Sequence, residues 1–183
     1  MIDAAKHALA RREALKEIRR RNPQPWDGDP AKRRVLVVLP TDQEDAKEAW
    51  RFVQSLGVHH RNVTPVVPNS VVTYVPVEYI GRVHRLEAKH LGLLGLPKRE
   101  FASKVWAEQP DVAFCLHPEP EMASLYLVGA SNAALRAGLH SAKEEAFFDL
   151  MVGGEKGLGE ALAVMRDALS RMHPPVFSFG DQP

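Results

Sequence analysis

Read from the N-terminus, the alternation of apolar and polar positions changes its period several times. Residues 3–21 are rich in Ala, Leu, Lys, Glu and Arg and hold no Gly or Pro, which predicts a helix. Ala4, Ala8, Leu15 and Ile18 share one stripe of it, interrupted by Arg11. So thin a face does not hold a helix by itself. Pro23, Pro25 and Pro30, with Gly28, predict a linker that cannot continue the helix. The expectation is therefore an arm that can be deleted without unfolding the rest of the chain.

The run Val35–Leu39 is apolar on both faces, as a central parallel strand is, and Pro40 stops it. Thr41 and Glu44 have the spacing of a capping box. Ala46, Ala49, Trp50, Val53 and Leu56 come next at helical spacing, and Gly57 is the expected C-terminal cap. A second strand is expected over 62–67, where Pro65 marks irregularity or a place near an edge. Residues 71–77 are β-like although Pro76 lies among them, and 91–96 read as a short strand or a packed loop. A short helix over 98–108 carries Phe101, Val105 and Trp106 on one side.

Residues 111–116 form a second apolar strand, followed by an almost wholly apolar helix over about 119–130. Residues 134–139 and 147–152 predict two more strands. Residues 157–172 predict an amphipathic helix with Leu158, Leu162, Met165, Ala168, Leu169 and Met172 inward, and a loosely ordered tail begins at His173. Alternating strands and helices imply a mainly parallel sheet covered on both faces. The expected fold is a single three-layer Rossmann-like α/β domain over 31–183, preceded by a basic helical arm and Pro-rich linker over 1–30. Val37, Leu39, Trp50, Val53, Phe114, Leu116, Leu125 and Val152 are the expected core.

Composition narrows the class. The 183 residues suffice for one domain, with the apolar and charged content of a globular protein. Cys115 is the only cysteine, which excludes an internal disulfide and a cysteine-built zinc site within one chain. No apolar run reaches the ~18–20 residues of a membrane helix. The N-terminal stretch has no apolar signal-peptide core. These features predict a cytoplasmic protein.

The net charge of +1 conceals an asymmetry. Residues 1–34 hold ten Lys/Arg against five Asp/Glu, and the remainder hold fourteen against eighteen. Arg19, Arg20, Arg21, Lys32, Arg33 and Arg34 are accordingly candidates for contact with a polyanion, and a solvated helix is the competing reading. The arm has no interleaved aromatics for base stacking and no nucleic-acid-reading motif.

Two stretches carry a family resemblance. Residues 105–138 contain an Asp-led strand, a helix and Ala-Ser-Asn-Ala-Ala-Leu-Arg-Ala-Gly at 130–138. This resembles the N-terminal half of heptosyltransferase-type glycosyltransferases. The whole layout, with Phe148-Asp149-Leu150-Met151 before the last helix, resembles a family of small bacterial proteins of unknown activity. The glycosyltransferases use two such domains and carry a Gly-Asp pair after the first strand, where this chain has Pro40-Thr41-Asp42-Gln43. The resemblance thus implies fold and not chemistry.

Ligands of doubly wound sheets bind beyond the carboxyl ends of the strands. Thr41 and Asp42 follow the first strand, and Cys115, His117 and Glu119 end or follow the later one, so these five are the candidate ligand-binding residues. Cys115 and His117, two apart, share a strand face and could make a thiolate nucleophile, against the alternative of an inert core thiol. The eight histidines show no metal-ligand spacing, so no metal and no cofactor is expected. Gly153-Gly154-Glu155-Lys156-Gly157-Leu158-Gly159 lies between strand and helix as phosphate loops do, but lacks Walker spacing and reads as a flexible turn. With no complete catalytic set, the expected function is a non-enzymatic interaction or scaffold protein whose arm meets a protein or polyanionic partner. The alternative is a nucleotide- or sugar-nucleotide-binding, transferase-like enzyme using the 40–43 and 115–121 loops.

Overall fold

The computed structural model describes residues 2–23, 32–140, 143–154, 157–172 and Phe177. Among these residues six parallel strands make one sheet: β1 (Val35–Val38), β2 (Val63–Pro68), β3 (His84–Leu86), β4 (Val112–Cys115), β5 (Leu135–Leu139) and β6 (Leu150–Val152). Their order is β3-β2-β1-β4-β5-β6. The chain thus winds outward from β1 in one direction, returns to β4 and winds outward in the other, which is doubly wound Rossmann-type topology. Val37 of β1 is in register with Pro65 of β2 on one side and Phe114 of β4 on the other.

Among the described residues five α-helices cover the sheet: α1 (Ile2–Arg19), α2 (Gln43–Ser55), α3 (Arg99–Trp106), α4 (Met122–Gly129) and α5 (Leu158–Arg171). Strand alternation sorts the core into two halves. Val35, Val37, Leu39, Phe114 and Leu116 pack against Trp50 and Val53 of α2 and Leu162, Met165 and Leu169 of α5. Leu36, Val38, Ala113 and Cys115 face Ala14 of α1, Phe101 and Val105 of α3, and Leu125 and Val128 of α4. All eight expected core residues are buried.

Pro65 sits inside a strand because of where its missing donor points. Val66 accepts from Leu39 of β1, and the Val63 carbonyl accepts from Arg82, so residues of Val63 parity face away from β1. Strand β3 pairs with β2 only from Val66 onward. Pro65 therefore interrupts no ladder.

Several local expectations are corrected. Residues 71–77 are not a strand: two 3-10 turns, Asn69–Tyr74 and Val77–Arg82, occupy this segment, each entered from a proline that lacks a ladder donor. Residues 91–96 form a loop closed by a bridge between Leu91 and Pro97. The cap of α2 is Asp42 and not Thr41, its carboxylate accepting from the Glu44 and Asp45 amides. In α1, Ala4 and Ala8 are exposed. The buried stripe is Ala10 and Ala14, flanked by Leu15 and Ile18. Its small residues let α1 lie close on α4.

The arm is thus docked on the sheet. Ile18 reaches Gly129 of α4, where an added Cβ would stand 3.1 Å from Ile18 Cδ1 and 2.7 Å from the Phe147 ring. Arg21 donates to the Ser131 and Ala133 carbonyls, and the Asn22 amide donates to the Asn132 side chain. Pro25, Gly28 and Pro30 of the expected linker, Glu155 and Lys156 of the Gly-rich turn, and the tail from His173, apart from Phe177, lie outside the described residues. Phe177 is buried against Phe114, its ring centroid 6.0 Å away.

Candidate functional site

The point where the winding direction reverses lies between β1 and β4, and the loops leaving those two strands meet there. Four of the five residues proposed as ligand-binding stand on these loops. Thr41 follows β1 and Asp42 opens α2; His117 and Glu119 precede α4. The loops touch: Thr41 Oγ1 and His117 Nε2 are 3.3 Å apart. The 3-10 turn after β2 closes a third side, with Ser70 Oγ donating to the Thr41 carbonyl and Tyr74 donating to Gln43 Oε1.

The proton direction at this contact is set by the other ring nitrogen. His117 Nδ1 accepts from the Glu119 amide at 3.2 Å. In the neutral ring the proton is then on Nε2, so His117 donates to Thr41. Burial holds the His117 pKa below its ordinary value, against the pull of Glu121, Asp45 and Glu119. Asp45 responds in the opposite sense: burial, and then the neighbouring Asp42 charge, raise its carboxyl. Carboxylates thus surround the switch point, and Asp42 fills the α2 N-terminus with its own negative group.

Cys115 does not join this group. Its side chain lies in the core half beneath α4, fully buried. Burial pushes the thiol up to about 12. At neutral pH it is a protonated core group, and the thiolate reading is set aside.

The six basic candidates differ in burial and in partners. Arg19, Arg20, Lys32 and Arg34 are exposed, and Arg20 pairs with Glu17. Arg21 is spent on the two carbonyls that pin α1. Arg33 is buried. Arg34 makes a bidentate pair with Asp111, with Nη2 2.9 Å from Oδ1, at the amino edge of the sheet. Sequence reasoning weighed their charge and could not see that Arg33 is buried and that Arg21 and Arg34 are engaged by groups of the protein itself.

A second cleft of about 620 Å³ opens at the carboxyl ends of β5 and β6, between His140, Val152, Gly153 and Gly154 and the start of α5. Its glycines have packing reasons. A Cβ at Gly154 would stand 2.6 Å from the Ala161 nitrogen, and Gly157 has φ +105°. Among the described residues no cluster of three His, Cys, Asp or Glu is placed to hold a metal ion. Nor is any helix among them long and apolar enough to cross a membrane.

A family model described as a family of unknown function, DUF6913, matches residues 6–158, and the chain belongs to that family. No curated protein and no solved structure matches it.

Proposed function

We propose that this member of a family of unknown function acts by binding, as an interaction or scaffold domain, and not by catalysis at its switch point. The observation that carries the reading is the direction of the Thr41–His117 hydrogen bond. A hydroxyl becomes a nucleophile when a neighbouring base accepts its proton. Here the imidazole donates, and its Nδ1 is already committed to the backbone. The α2 N-terminus, where a phosphate would gain from the helix dipole, is filled by Asp42. Large apolar side chains are exposed elsewhere: Val77 at 81%, Ile80 at 59% and Leu93 at 95%. They lie between β2 and α3 and supply apolar area of the kind a protein partner covers.

The second reading is a nucleotide- or sugar-nucleotide-binding enzyme. The strand order favours it, since this order reverses where such ligands sit. The ring of carboxylates disfavours it.

The test is isolation of partners with the full chain from its native host, followed by reconstitution of the complex from pure components. A complex of defined stoichiometry that persists in His117→Asn is expected. A substrate turned over by the pure chain, and no longer by His117→Asn, would overturn the proposal in favour of the enzyme.

A further inference from the structure

The charges of this chain are sorted in space as well as along the sequence. While the switch point is acidic, an open cleft of about 440 Å³ between edge strand β3 and helix α3 is basic. Arg85, Lys89, Lys98 and Lys104 line it together with His84 and His90, and Glu100 is its carboxylate. Lys104 pairs with Glu100 and Lys89 with Glu87. Arg85 and Lys98 form no ion pair among the described residues. Gathering like charges around a concave surface costs free energy in the free protein and focuses the field outward for an oppositely charged ligand.

The cleft is held in shape by the backbone. The Lys98 amide donates to the His90 carbonyl at 2.8 Å across the neck of the 91–97 loop, which fixes these two residues side by side. The His90 ring stacks on Phe101 with centroids 4.6 Å apart, and its Nδ1 accepts from the Glu87 amide. Lys98 is also the N-cap of α3, and no side chain caps that end. The first-turn amides of α3 add donors and a favourable dipole to the same basic wall.

We propose that this cleft binds a small ligand carrying two or more phosphate groups. Arg85 and Lys98, with the paired Lys89 and Lys104 beside them and an uncapped helix start, suit several anionic oxygens at once. The volume is that of a small-molecule site and not of a duplex groove. The phosphates of a free nucleotide and of an inorganic oligophosphate offer the same chemistry, and the two are separated by experiment. The inference is independent of the protein-partner reading, because it concerns a different ligand class and rests on the charged lining of the cleft rather than on the exposed apolar side chains.

The test is calorimetric titration of the full chain with inorganic triphosphate and, separately, with ATP, without divalent metal, at low and at physiological salt. One saturable site, weakened by salt, is expected. The double variant Arg85→Gln/Lys98→Gln should lose roughly tenfold or more in affinity, because two charge-assisted contacts go. Both residues are exposed, so an unchanged melting temperature certifies the fold. The control Arg19→Gln/Arg20→Gln should bind as the parent does. Equal binding of both ligands would show a site that reads phosphates alone, and tighter ATP binding one that also reads the nucleoside. No saturation by either ligand at low salt, or an equal loss in the arm control, would overturn the proposal.

Discussion

Arg136 and Asp149 join β5 to the start of β6 by a bidentate ion pair, with Nη2–Oδ1 at 2.6 Å and Nε–Oδ2 at 2.9 Å. The Arg136 amide donates to the same Asp149 carboxylate, and the Asp149 amide returns a bond to the Arg136 carbonyl. Arg136 also donates to the Gly129 carbonyl at the end of α4. The Leu-Arg-Ala-Gly and Phe-Asp-Leu-Met stretches that stood out in the sequence are thus two sides of one contact. Their roles are architectural.

Breaking that pair should destabilise the fold. The Arg136 side chain is only 7% exposed and is stranded when its partner is removed. Asp149→Asn should cost about 2 kcal/mol in urea unfolding at pH 7, below the ~3–5 of a fully buried pair because Asp149 keeps 37% exposure and solvent screens it. Burial alone would raise the Asp149 pKa, but the hydrogen bonds and charge of Arg136 bring it below its usual value. A depressed carboxyl stabilises the fold fully above its unfolded pKa of about 3.9 and loses that contribution as pH falls through the folded value. Parent and variant should therefore converge in stability in that acid window. A difference that persists unchanged well below it would assign the cost to packing.

Gly138 should resist substitution. An added Cβ would stand 2.5 Å from two ring carbons of Phe148. Gly138→Ala is expected to cost about 1–3 kcal/mol, as overpacking does. Phe148→Leu in the same chain should recover part of that loss, read from a double-mutant cycle of thermal melts.

Removal of residues 1–22 should lower the melting temperature, contrary to what the prolines imply. Ala10 and Ala14 are buried and Ile18 reaches Gly129. Ile18→Ala alone should cost about 2 kcal/mol. Equal melting of truncated and full chains would show that the docked helix adds nothing to stability.

Cys115 should be inert to thiol reagents in the native protein, since its thiol is buried and pushed up to about 12. Modification by an aromatic disulfide at pH 8 should proceed only as fast as the chain opens, and at once in denaturant. Rapid stoichiometric labelling of the folded chain would contradict its place beneath α4.

Phe114, at the centre of the sheet, touches Phe52 edge-on with centroids 5.4 Å apart and lies near Phe177. Phe114→Ala should cost about 3–5 kcal/mol. A loss under about 1 kcal/mol in urea unfolding would move β4 out of the core.

Much of the fold was legible because its signals are local. The runs Val35–Leu39 and Val112–Leu116 are apolar on both faces, and only a strand between two helical layers buries both. The periodicity of α2 and α5 needed no partner to be read. The segment 69–97 was not legible, because its prolines and short apolar runs fit strand, turn and loop alike. Thr41 and His117 were named separately from the rule for doubly wound sheets, and their contact lay beyond any sequence pattern. The basic cleft was missed altogether: Arg85, Lys89, Lys98 and Lys104 are spread over twenty residues with no run among them.

What the sequence determined by itself is the alternation of buried strands and amphipathic helices, and with it the layered α/β class, because burial and period are properties of neighbouring residues. The tertiary structure alone decided the strand order, the docking of α1, the sealing of Cys115 and the fate of each charge. Arg21, Arg33 and Arg34 look alike in the chain, yet one pins α1, one is buried and one pairs with Asp111. Which of these a charged side chain does depends on groups more than seventy residues away. Charge along the chain counts residues, whereas charge in the fold depends on which of them meet.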